Sequence, residues 1–168
     1  MRFSSLLFLL VSIVLGAPNY DIYTTNCNVE AQSALIRALH HINSIPCSGV
    51  RFFYIREIPR TTIYNEFTNV VYCNATLTPP VLGQITMNVF PPYVFKMYID
   101  TSVRAIALLN ALMHEMGHAV GLEHVNNSFS VLYSSLNSSV FQVFTESENI
   151  QIAQKYWNCP QISNGRVG

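Results

Sequence analysis

One stretch constrains this chain more than any other: His114-Glu115-Met116-Gly117-His118-Ala119-Val120-Gly121-Leu122-Glu123-His124. Around it, apolar Ile106, Leu109, Met113, Met116 and Val120 recur every three or four positions, so a helix is predicted over about 102–120. On a helix, His114 and His118 are one turn apart and share a face. Gly121 stops the helix, because glycine accepts the left-handed backbone that other residues avoid. The chain must then turn back, and His124 follows three residues later. Three imidazoles so placed, with a fourth position left for water, make a tetrahedral catalytic zinc site. Calcium and magnesium prefer oxygen ligands and suit this set less well. Glu115 follows the first ligand and can reach a water on the open side without binding the metal. The metal candidates are therefore His114, His118 and His124, and the catalytic candidate is Glu115.

The rest of the chain sets the context. Arg2, the apolar run Phe3 to Leu15 and the small residues Gly16-Ala17 read as a secretory signal peptide over 1–17, leaving one domain over 18–168. The apolar run is shorter than the ~20 residues that span a bilayer, and no later segment is long and apolar enough. No transmembrane anchor is expected, and the chain reads as a secreted, extracellular monomer. Charged residues are only 11% of the sequence and formal net charge is zero. That balance argues against nucleic acid or an anionic membrane as partner. Sequons at Asn74, Asn126 and Asn137 make an exported chain a candidate glycoprotein. The four cysteines, Cys27, Cys47, Cys73 and Cys159, read as two disulfides with three possible connectivities. Their spacing forms no C-x-x-C metal pair.

Element by element, Asn28 to Ile45 has helical apolar spacing at Val29, Leu35, Ile36, Leu39 and Ile42, with Asn28 as N-cap. Strands are predicted over 50–58, 61–67, 70–77, 84–90 and 94–100, with proline pairs at 79–80 and 91–92 marking turns. Asp100 is placed to cap the second helix. Residues 126–143 read as an irregular loop. A third helix starts at the capping box Thr145-x-x-Glu148, with Ile150, Ala153 and Trp157 as its buried stripe. Helix, strands, helix, loop and helix make an α+β domain of mixed elements. His40 and His41, adjacent on the first helix, face different ways and read as surface or packing residues.

The extended H-E-x-x-H-x-x-G-x-x-H motif resembles that of the metzincin metalloendopeptidases. Within that clan the G-H-A-x-G-L-x-H wording is most like a minimal matrixin catalytic domain. Ser130-Val131-Leu132-Tyr133 is similar to the Met-Tyr turn of matrixins, and the helix from Thr145 to their C-terminal helix. The resemblance implies a twisted, mostly parallel sheet of about five strands with an antiparallel edge strand, and three main helices. It implies a zinc-dependent endopeptidase acting on protein or peptide substrates. Those would lie along the edge strand 84–90, with Glu115 as general base. Tyr133 is a candidate for lining the S1′ pocket or lending a hydroxyl near the site, with packing under the turn as the plain alternative. By resemblance to astacin-type metzincins, Cys47 pairs with Cys159 and Cys27 with Cys73.

The chain departs from the family at several points. Leu132 stands where the turn methionine belongs, with similar volume and hence a small expected cost. Val125 replaces the usual serine, and Ser134 and Leu136 stand where proline and tyrosine line the S1′ pocket, so pocket preference does not transfer. The structural zinc and calcium sites of vertebrate matrixins are not expected, since only His40 and His41 lie outside the motif. A latency segment capping the zinc through Asp21 or Cys27 is weaker than a loop for Asp21 and a disulfide for Cys27. The rival function is a secreted binding protein on a metzincin scaffold that holds zinc without useful turnover; Leu132 is its main support.

Overall fold

The computed structural model describes residues 19–46, 48–59, 68–74, 77–78, 81–87, 94–103, 105–136 and 139–156. The signal segment 1–17, the predicted strand 61–67, Cys47, Asn137, Trp157 and Cys159 lie outside the described residues.

Five strands form one sheet: β1 (Asn19–Thr25), β2 (Arg51–Glu57), β3 (Asn69–Tyr72), β4 (Gly83–Met87) and β5 (Phe95–Ile99). Their order is β2-β1-β3-β5-β4. The first four neighbours run parallel, and β4 closes one edge antiparallel to β5. With helices α1 (Val29–Asn43), α2 (Ala105–Ala119) and α3 (Glu146–Tyr156), this is the α+β architecture the sequence resemblance implies.

β1 was not among the predicted strands. It begins two residues after the expected signal cleavage, where Asp21 was read as part of a loop. Yet Tyr20, Ile22 and Thr24 alternate inward while Asn19 and Asp21 face out, the period of a half-buried strand. Asp21 thus belongs to a strand and not to a loop. β3 stops at Tyr72, short of the expected Leu77. The reason is local: Cys73 is bonded to Cys27, and Asn74 turns the chain at φ 56°. The Cys27–Cys73 disulfide agrees with the pairing the resemblance implies.

Asn28 caps α1 through its side chain, which accepts from the Ala31 amide at 2.8 Å. The buried face of α1 is Ala31, Ala34, Leu35, Ala38, Leu39 and Ile42, whereas Val29 and Ile36 are exposed. Three alanines therefore do what larger residues were expected to do, and they let the helix lie close on its neighbours. At its far end the Asn43 side chain clasps the Phe52 backbone, accepting from its amide and donating to its carbonyl, both at 2.8 Å. Tyr20 stacks on Phe52 with centroids 4.9 Å apart, and Phe95 completes the aromatic group in the core.

α2 starts at Ala105, three residues later than the pattern suggested. Asp100 does not cap it: its carboxylate accepts from the Ser102 amide at 2.8 Å and closes the turn before the helix. Nearly the whole of α2 is buried, packed against α1, β4 and β5, with Ile106 left exposed. α3 shows half of the expected capping box, Glu148 reaching back to the Thr145 amide at 2.6 Å. Its inward face is Glu148 and Ile152; Ile150, expected inside, is half exposed.

Candidate metal centre and catalytic site

The C-terminus of α2 builds the site. Leu122 N–H donates to the Gly117 carbonyl at 3.0 Å and Gly121 N–H to that of His118 at 2.7 Å, with Gly121 at φ 77°. This is a Schellman cap, and it needs the left-handed residue that glycine supplies. The turn brings His124 back over α2. The three Nε2 atoms then converge: His114 to His118 at 3.0 Å, His114 to His124 at 3.1 Å, His118 to His124 at 3.3 Å.

Ring polarity follows from the other nitrogens. His114 Nδ1 lies 2.7 Å from the Val131 carbonyl and His118 Nδ1 2.8 Å from that of Leu122. A carbonyl only accepts, so both Nδ1 atoms carry the proton and both Nε2 atoms present lone pairs. Lone pairs facing each other at 3 Å repel unless a cation lies between them. A tetrahedral ion bound at about 2.0–2.1 Å to imidazole requires ligand separations of about 3.3 Å. The donor set thus fits a metal ion, and the two carbonyls act as the outer partners that hold metal-binding imidazoles in orientation. Burial holds His114 down at about 4; its bond to Val131 opposes that, and the neighbouring imidazoles His118 and His124 add to it. His114 therefore stays neutral, the form that binds metal.

Glu115 is buried beside this group, and burial raises its carboxyl to about 7. A carboxyl near neutrality is suited to taking and returning a proton.

The floor is the segment expected to resemble the Met-Tyr turn. Leu132 is fully buried, and a Cβ on Gly117 would stand 2.6 Å from its Cδ2 and 3.0 Å from Phe144 Cε1. Glycine at 117 leaves room for the Leu132 side chain to lie against α2. The Leu132 carbonyl accepts from Val125 N–H at 3.1 Å, tying the chain just after His124 to the same turn. Tyr133, half-buried, forms a bridge with Val125.

A polar network unseen in the sequence braces that turn. Ser130 Oγ donates to Glu148 Oε1 at 2.5 Å and accepts from the Leu132 amide at 2.9 Å. Gln142 Nε2 donates to the Ser128 and Ser130 carbonyls, both at 3.0 Å. Asn110 of α2 accepts from the Gln142 amide at 3.1 Å and donates to the Val140 carbonyl at 2.8 Å. Asn110 and Glu148 are both buried, and each sits among helix-forming residues that hide its role. The available signals were Asn110, polar among the apolar residues that precede His114, and Glu148, expected in the capping box. His40 and His41 stay outside the site: His40 is exposed, and His41 packs on Phe141 with centroids 5.2 Å apart. Cys27, held in its disulfide, and Asp21, exposed on β1, take no part in it.

A buried helix carrying two histidines, a glycine turn returning a third, and a mostly parallel sheet with an antiparallel edge define a metalloprotease fold. The Matrixin family profile matches residues 61–157, more than half of the chain, and the chain belongs to that family. Among solved structures it is similar to metalloproteinase-II from Bacteroides fragilis, with a TM-score of 0.60 and 13% identity. That match covers 84% of this chain and 54% of the other, so the chain spans about half the length of the Bacteroides protein. It is also similar to archaemetzincin from Methanopyrus kandleri, with a TM-score of 0.57, 14% identity, and coverage of 83% and 96%. At these identities the likeness speaks for the fold. No curated protein matches the sequence.

Proposed function

We propose that this protein is a secreted zinc-dependent endopeptidase. The observation that carries the reading is the convergence of three Nε2 atoms within 3.3 Å, two of them polarised by backbone carbonyls, next to a buried glutamate. His114, His118 and His124 hold the ion. Zinc in such a set supplies Lewis acidity toward water and toward the substrate carbonyl.

The chain's own residues do the rest. Glu115 accepts the proton from the attacking water and passes it to the leaving amine. Leu132 keeps the underside of the ligands apolar and rigid. β4, at the sheet edge, offers its backbone to an extended peptide, the mode of strand addition. The fit of Leu132 against Gly117 and Phe144 speaks against the rival reading, a zinc-holding scaffold without turnover, because that reading leaned on a damaged floor.

The reading extends to export with removal of residues 1–17, an extracellular monomer, and glycosylation at the sequons, of which Asn74 and Asn126 are exposed. Intact-mass analysis of protein secreted from eukaryotic cells checks these processing steps; an unprocessed, unglycosylated mass contradicts them. For the activity, a denatured protein substrate should be cleaved, cleavage should stop with a chelator, and zinc should restore it. Cleavage indifferent to chelation overturns the reading.

A further inference from the structure

β4 does more than form the edge of the sheet. Its first residue, Gly83, pairs with Ile99 of β5, and the strand packs against α2. A Cβ built on Gly83 would stand 2.9 Å from Glu115 Oε1, 3.0 Å from Glu115 Cγ and 3.1 Å from Ile99 Cδ1. Carbon contacts are comfortable at about 3.5–4.0 Å, so the backbone of the edge strand rests directly on the Glu115 side chain. Among the described glycines, positive φ occurs at Gly49 and Gly121, so what Gly83 contributes is space and not backbone freedom. Glu115 itself is buried.

We infer that Gly83 is a positioning residue: its missing side chain lets the Glu115 carboxylate lie against β4, so the strand expected to receive the peptide also sets where the base rests. This rests on the reading of Glu115 as the proton carrier. A methyl group at 83 would displace the carboxylate by several tenths of an ångström or more. Misplacements of about 1 Å in an active site cost on the order of a hundredfold in rate.

The test compares wild type, Gly83→Ala, Glu115→Ala and the double variant. Gly83→Ala should lower kcat at least tenfold with KM and zinc affinity unchanged. Thermal unfolding of the metal-free proteins supplies a readout independent of turnover. Gly83→Ala should lower Tm in the wild-type background and much less in the Glu115→Ala background, because the Ile99 contact is common to both and cancels. Equal Tm losses in both backgrounds, or a wild-type kcat for Gly83→Ala, overturn the inference. If Gly83→Ala does not fold, a folded double variant supports the inference and an unfolded one overturns it. A fully active Glu115→Ala protein overturns the proton-carrier role, and the positioning of catalysis with it, while the Tm comparison still reports the contact.

Discussion

At the scale of single residues, two ionisable groups in the site are pushed in opposite directions by the same burial. His114 is held at about 4 and Glu115 at about 7. Both shifts favour the neutral form, and their effects on the metal-free protein have opposite signs. For Glu115, the folded state binds more protons than the unfolded state between the ordinary 4.5 and about 7. Its contribution to stability is therefore present below 4.5 and is lost as pH rises toward 7. Glu115→Gln removes that loss and leaves His114 in place. The metal-free variant should gain on wild type as pH climbs from 4.5 to 7, by on the order of 3 kcal/mol, then hold level. Denaturant unfolding across this range checks it; a difference independent of pH contradicts the burial argument.

At the scale of elements, the site was legible wherever its geometry is local. His114, Glu115, His118, Gly121 and His124 follow from helix periodicity and one glycine turn, and all need only a few residues of context. The Asn28 cap was legible for the same reason. What escaped was contact between distant segments. The face of α1 is set by Ala31, Ala34 and Ala38, which carry little hydrophobic signal but fit a close approach. The bonds of Asn110 to 140–142 and of Ser130 to Glu148 join residues far apart in the chain, and no spacing rule announces them. β1 escaped because its alternation abuts the expected cleavage site. Gly121 belongs to this scale, since its φ of 77° closes the Schellman cap that returns His124. Gly121→Ala should destabilise the protein by about 1 kcal/mol and weaken zinc binding, because the strained turn misplaces the third ligand. Chelator competition and thermal unfolding together check this; unchanged zinc affinity would detach His124 from the turn.

At the scale of the whole molecule, the fold brings a sheet edge, a buried helix and a braced turn to one place. β4 lies close beside Glu115 at Gly83, and the turn from Ser130 to Tyr133 supports His114 through the Val131 carbonyl. The Cys27–Cys73 bridge ties the start of α1 to the end of β3, closing a loop with a sequence separation of 46. By chain entropy such a closure stabilises by about 4 kcal/mol. Replacing both cysteines with serine should lower Tm strongly while leaving the zinc stoichiometry of the folded fraction unchanged, as differential scanning and metal analysis would record.

The claim on which everything turns is that this is a working hydrolytic centre with zinc on three histidines and Glu115 moving the proton. It is tested most directly by zinc content and peptide-library cleavage measured side by side on wild type and Glu115→Ala. The account predicts one zinc per chain in both, with cleavage in wild type and none in the variant. Full cleavage by Glu115→Ala, or a zinc-loaded wild type that cleaves nothing, would contradict it.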